Sequence, residues 1–219
     1  MKHPLESLLF DALSAAPETD NAHDIHHAVR VWKNARSIAA SEGAVDETVL
    51  ICACYLHDLV SLPKNAPNRS DASRLAAVAA EPIMQELGLT NPQVEAAKHA
   101  ITAHSFSANV PAETLEAKIL QDADRIESLG AIGLARVFAV SGNLNRALFN
   151  GADPFAESRP LDDSTYAVDH FARKLLLLPQ QMKTTAGKAL ADQRAQILRQ
   201  FLQDLATELD APLPPWAIK

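Results

Sequence analysis

The stretch VLICACYLHDLVSL, Val49 to Leu62, governs how the rest of this chain is read. Apart from His57, Asp58 and Ser61, it consists of aliphatic side chains, two cysteines, an alanine and one tyrosine. It shows no alternation of polar and apolar positions, and it is apolar almost all the way round a helical wheel. That pattern predicts a central buried helix, beginning near Asp46 and running to a stop before Pro63. Within it sits the pair His57-Asp58. An ionised carboxylate in such surroundings costs several kcal/mol unless something pairs with it. A divalent cation meets that need and gives the imidazole a role. Adjacent helical side chains diverge by about 100°, so both can reach one ion lying between them.

Working outward, the chain reads as all-α. It holds only 7 glycines in 219 residues, and no run of alternating β-branched and aromatic residues suggests a strand. A first helix is predicted over 4–16, then a polar loop through Pro17 and Asp20. A second should span 24–42 and stop at Gly43, with Val31, Ala35, Ile38 and Ala39 as its core stripe. The segment PKNAPNRS, residues 63–70, is the clearest loop, after which Ser70 is placed to cap a helix over 71–87 closed by Gly88. Further helices are predicted over 91–105, 112–128 and 130–141. An irregular stretch follows over 142–163, then helices over 164–178 and 182–210. The tail PLPPWAIK should be extended, with Trp216 docking it onto the body. Residues 1–219 read as one domain, a helical bundle whose motif-bearing core covers about 20–130, with a helical C-terminal part from 131 onward.

The formal net charge of −7 excludes a general nucleic-acid binder, which carries a basic face. Segment by segment, nothing approaches the roughly 18 uninterrupted apolar residues of a membrane span. The start, MKHPLESLLFDAL, carries Glu6 and Asp11 among its apolar residues and does not read as a secretory signal. A cytoplasmic protein is the expectation. Cys52 and Cys54 would point in nearly opposite directions on a helix, which rules out a mutual disulfide and reads as two buried thiols.

The His57-Asp58 pair gains meaning from two other clusters. AHDIHHAVRV offers His23, His26 and His27 at the start of the second helix, and KILQDADRIESLG offers Asp122 and Asp124 late in the sixth. A histidine, a His-Asp pair and a late aspartate make an N2O2 donor set for one divalent ion, suited to Mn, Fe, Co, Ni, Zn or Mg. His27 shares a face with Val31 and Ala35 at i, i+4 and i+8 and so faces the core. His23 lies one turn earlier on that face as a supporting residue, and His26 reads as exposed. Asp124 shares a face with Leu120 and Ala131. Asp122, four residues from Lys118, reads as a solvated helix charge.

The order His27, then His57-Asp58, then Asp124 resembles the H…HD…D signature of the HD superfamily of metal-dependent phosphohydrolases. HHAVRV, LHDLVSLPKNAPNRS, HAITAHSFSAN, AKILQDADRIESLGAIGLAR and VDHFARKL resemble a bacterial subfamily of stand-alone HD proteins that includes nucleotide pyrophosphohydrolases. The resemblance covers residues 20–205 or so, and its H-x-x-R-V pattern selects His27, with Arg30 and Val31. It implies an HD-domain bundle with His27, His57, Asp58 and Asp124 as ligands of one divalent ion, Mn or Mg being favoured. It also implies cleavage of nucleoside triphosphates to a monophosphate and pyrophosphate by water that the ion activates, with Asp58 orienting or deprotonating that water. Rival readings are a phosphomonoesterase or phosphodiesterase acting on nucleotides, and a non-catalytic module that senses a nucleotide. The expected partner is a small phosphorylated substrate, not a nucleic-acid polymer or a membrane, and the protein acts as a monomer or homodimer.

Around the ligands, Lys64, Asn65 and Arg69 follow the metal helix directly and suit the phosphoryl oxygens of a polyphosphate. Arg30 supports the site. His99 and His104 line the cleft, in contact with a phosphate or a bound water; ligation of a second metal, as in some HD proteins, and a satisfied structural histidine are the alternatives. The spacing of five between the two histidines turns them about 140° apart on a straight helix, which departs from a shared metal-binding face. Asp71 and Ser73 are weaker candidates. Some HD nucleotidases carry a glutamate three residues after the HD aspartate; Ser61 stands there in this chain, so that base is absent.

Overall fold

A computed structural model describes residues 3–14, 25–60, 62 and 68–218. They are all-α, with no strand among them. One compact unit ends at Asp124 and a second begins at Arg125.

In the first unit, α1 (Leu5–Ser14), α2 (Ile25–Glu42), α3 (Glu47–Leu56), α4 (Ala72–Glu86), α5 (Asn91–His104) and α6 (Leu115–Ile126) follow one another. Helix α3 is the hub, packed by α1, α2, α4 and α5. Every residue from Val49 to Leu56 is buried, as an all-round apolar helix requires. Its start is fixed by Asp46, whose carboxylate accepts from the Thr48 and Val49 amides and from Gln93 Nε2. Gln93 belongs to a capping box with Thr90 at the start of α5, so one polar cluster registers two helix N-termini.

The prediction erred on where α3 ends. The helix stops at Leu56, and Asp58 lies in the turn beyond it. His57 closes the helix by donating from Nδ1 to the Cys54 carbonyl at 2.8 Å. The last carbonyls of a helix lack intrahelical donors, and a side chain that satisfies one competes with further helical turns. The HD pair is therefore a helix terminus, not a mid-helix dipeptide. The helix after it starts later than expected. A short 3-10 turn, Arg69–Asp71, precedes α4, and Asp71 occupies the N-cap position with no side-chain cap bond. Ser70 is exposed and does not cap that helix.

The second unit holds α7 (Gly130–Asn143), α8 (Asp169–Arg173), a 3-10 segment (Leu175–Gln181), α9 (Thr185–Glu208) and α10 (Pro215–Ile218). The helix predicted over 164–178 is not formed. Its place is taken by turns, the five-residue α8 and the 3-10 segment, which contains Pro179. Side chains claim the backbone there. Asp169, wholly buried, accepts both Arg159 guanidinium nitrogens and the Asp162 amide, and Asp162 in turn accepts from the Ser164 amide. Phe138, Phe171 and Phe201 form the aromatic centre of this unit, with ring centroids 5.4–6.2 Å apart. The tail is one turn of helix rather than extended. Trp216 does dock it, through an indole N–H to the Phe155 carbonyl at 3.3 Å.

Candidate metal centre

The site lies within the first unit, where the ends of four helices meet. His27 is in the first turn of α2, His57 and Asp58 end α3, His104 ends α5, and Asp124 is in the last turn of α6. His27 is buried on the α2 stripe beside Ala28 and Val31, and His26 on the opposite side is exposed.

The donor atoms converge. His27 Nε2 stands 3.3 Å from Asp124 Oδ1 and 3.8 Å from Asp58 Oδ2. His57 Nε2 stands 3.3 Å from Asp58 Oδ2 and 3.9 Å from Asp124 Oδ1. Ligands about 2.1 Å from a common ion and roughly 90–110° apart stand about 3.0–3.4 Å from each other, so these separations match a set around one cation, slightly expanded. A further triplet, His57, Asp58 and His104, shares His57 and Asp58 with that four-donor set, and His104 Nε2 lies 3.6 Å from Asp58 Oδ1.

The chemistry of the donors fits a cation independently of distance. The Cys54 carbonyl can only accept, so His57 Nδ1 must carry a proton, and the neutral ring then presents a lone pair at Nε2. That Nε2 is buried, makes no hydrogen bond, and faces two carboxylates. A lone pair aimed at anions is stable only with a positive charge between them. His104 repeats the device, with Nδ1 donating to the Ile101 carbonyl at 2.6 Å and Nε2 toward Asp58. The C-terminal ends of α3, α5 and α6 also direct their negative partial charge at this point.

Titration follows the same logic. Burial opposes ionisation of Asp58, but the imidazoles of His57 and His104 outweigh it and hold the carboxyl well below the usual range. Asp124 is likewise lowered, against burial, by His27 and His57. Burial disfavours the His57 imidazolium, yet Asp58 and Asp124 raise its pKa, a proton there serving as the positive charge. The imidazoles of His27 and His57 are sealed at 1–2% exposure whereas Asp58 and Asp124 keep 28% and 29%, so the cluster is closed behind those rings and open to solvent on the carboxylate side.

The other sequence candidates fall as follows. Arg30 is half-buried on α2, one turn beyond His27. Arg69 donates to the Leu62 carbonyl at 2.6 Å, tying the two ends of the segment that leaves α3. Lys64, Asn65, Ser61 and His23 lie outside the described residues. His99 is half-buried, its Nε2 accepts from the Glu113 amide at 3.2 Å, and it belongs to neither donor triplet, whereas His104 joins one. Asp71 is exposed, 3.7 Å from Arg74. Ser73 donates to the Thr102 carbonyl, and Gln121 to the Ala103 carbonyl. With His104 on Ile101, three carbonyls of the final turn of α5 are satisfied by side chains, which fixes the turn that carries His104. Asp122 corrects its sequence reading: it is wholly buried, not solvated. It continues the stripe Ile119, Asp122, Ile126 at i, i+3 and i+7, a periodicity that the pairing with Lys118 obscured.

Fold and donor set together define a helical centre that could hold a metal ion, and residues 24–129 match the HD domain. Those residues thus carry an HD domain. Among solved structures it resembles an HD-superfamily hydrolase from Bacillus thuringiensis at 28% identity and a TM-score of 0.73, covering 94% of this chain and 97% of that one. Bacillus subtilis YpgQ, solved in complex with ADP, aligns at 26% identity and a TM-score of 0.70, covering 96% and 98% of the two chains. By sequence, YpgQ is 29% identical over 201 residues, 90% of this chain and 89% of that protein. None of the described helices is long and apolar enough to cross a membrane.

Proposed function

We propose that this HD protein hydrolyses nucleoside triphosphates to a nucleoside monophosphate and pyrophosphate, using a divalent ion held by His27, His57, Asp58 and Asp124. The observation that carries the reading is the convergence of two imidazole nitrogens and two carboxylate oxygens at 3.3–3.9 Å, open to solvent on one side. The ADP complex of YpgQ supports a nucleotide as the phosphorylated ligand. When bound, the ion lowers the pKa of a coordinated water and offsets charge on the phosphoryl oxygens; Mn or Mg is favoured.

The chain's own groups supply the rest. Water oxygen attacks the α-phosphorus, the bond to the bridging oxygen breaks, and pyrophosphate departs. Asp58 is divided in its duties: Oδ2 faces the histidines of the donor set, and Oδ1 turns to His104 Nε2 at 3.6 Å. A carboxylate held so far below its usual pKa is a weak base, so Asp58 orients the attacking water, and the proton leaves past Oδ1 and His104. Arg30 and Arg69, with Lys64 and Asn65, are assigned to the remaining phosphate oxygens.

The test is a screen of metal-stripped protein with Mn, Mg, Co and Ni against a panel of nucleotides, with product analysis. Pyrophosphate released from a triphosphate supports the reading; orthophosphate released from a monophosphate points to a phosphomonoesterase. An Asp58→Ala variant should lose both bound metal and turnover, and full turnover without metal in that variant refutes the mechanism.

A further inference from the structure

The loop that follows α5 carries a feature that the catalytic groups leave unexplained. Phe106 is 84% exposed, the most exposed of the large apolar residues described in this chain. Leaving a phenyl ring in water forgoes the gain of burying it, so a ring held out by a fixed loop calls for a reason. Its display is not a loose end. On one side, His104 is buried and the last turn of α5 is secured through the Ile101, Thr102 and Ala103 carbonyls. On the other side, Ala108 is buried, and Asn109 adopts a left-handed φ of 52° that few side chains accept. Across the ring's own position, Ser105 Oγ and Ser107 Oγ are hydrogen bonded at 3.1 Å. A loop anchored at both ends and bridged in the middle presents one aromatic face outward.

Position connects this ring to the metal centre. Two residues of chain span at most about 7 Å, so Phe106 stays close to His104, whose Nε2 is 3.6 Å from Asp58. Phosphates gathered at the carboxylate side leave the nucleoside end projecting outward, and a loop that starts at His104 is within a nucleotide's length of them. Ser105, Ser107 and Asn109 around the ring are polar, so the loop offers a single π-face and not the contiguous apolar patch of a protein interface.

Building on the nucleotide reading above, we propose that Phe106 is a substrate-binding residue that stacks on the nucleobase, so that this loop recognises the base while the metal centre holds the phosphates. Stacking is tolerant of which base is present, because every base has a π-face. Broad use of purine and pyrimidine nucleotides follows, with tighter binding of the larger purines.

Calorimetric titration of wild type, Phe106→Ala and Phe106→Trp with ADP and with inorganic pyrophosphate, in the presence of Mg, tests this without requiring turnover. Wild type should bind ADP more tightly than pyrophosphate. Phe106→Ala should weaken ADP binding on the order of tenfold, the loss typical of one stacked base, and leave pyrophosphate unchanged, while Phe106→Trp restores ADP binding. Unchanged ADP affinity in Phe106→Ala, or equal losses for both ligands, overturns the assignment while the metal-centre reading stands. A wild type that binds neither ligand overturns the nucleotide reading and this inference together. A change in sedimentation mass in Phe106→Ala, with ADP binding intact, assigns the ring to a protein interface instead.

Discussion

Replacing Asp124 by asparagine removes one negative donor while preserving the shape of the site, which isolates the role of charge. Asp124 Oδ1 is 3.3 Å from His27 Nε2 and 3.9 Å from His57 Nε2, so it completes the donor set proposed to hold the ion. A ligand that binds only the folded state stabilises it by RT ln(1 + [L]/Kd), about 4.1 kcal/mol at a thousandfold excess over Kd. For a chain of this size each kcal/mol raises Tm by roughly 2–4 °C. Wild type stripped of metal should therefore gain about 8–16 °C when Mn is added at that excess. Loss of an anionic ligand that weakens affinity about a thousandfold leaves only RT ln 2, about 0.4 kcal/mol and 1–2 °C, at the same Mn concentration. Differential scanning fluorimetry of both proteins across a Mn titration reads the difference directly. An Asp124→Asn protein that keeps the full metal-dependent rise, or a wild type that shows none, refutes the assignment of this donor set.

Three further outcomes follow from other parts of the fold. A Cβ added at Gly133 would run into the Ser128 carbonyl oxygen, a backbone atom that cannot swing aside; Gly133→Ala should lower stability by about 1–3 kcal/mol, read as the urea midpoint. Burial lowers the pKa of His170 below the ordinary imidazole value, with Lys174 and Arg146 adding to the effect against the pull of Asp163. The unfolded chain then binds more protons than the folded one, so His170 subtracts stability as pH falls from about 6.5 toward the lowered folded value, and His170→Gln should flatten that part of the curve. Burial pushes Cys52 up to about 12 and Cys54 well above its usual value, so neither thiol should react with a disulfide reagent at pH 8 until the protein unfolds.

Much of this architecture is legible in the residues because it is local. The all-round apolar run of α3 and the one-sided stripe of α2 are periodicities, and burial follows them residue by residue from Val49 to Leu56 and at Val31, Ala35 and Ile38. His27 could be separated from His26 on the same ground, since one continues the stripe and the other leaves it. Where competing bonds come from elsewhere, the pattern misleads. Nothing in LHDLVSL shows that His57 will cap the Cys54 carbonyl and end the helix there. In the second unit, Asp169 gathers Arg159 and the Asp162 amide from an irregular stretch and breaks a helix that composition favours.

The sequence by itself determined that this is an all-helical protein, and it nominated two histidines and two aspartates, because helix periodicity and donor type are properties of the chain alone; the HD reading came from the resemblance of its motifs. Only the tertiary structure decided which donors share a point in space, that His104 faces Asp58 while His99 bonds the Glu113 amide, and that Asp122 is interior. The reason is physical: these outcomes depend on where the ends of α2, α3, α5 and α6 meet, and residues 27 and 124 come within 3.3 Å only through the packing of everything between them.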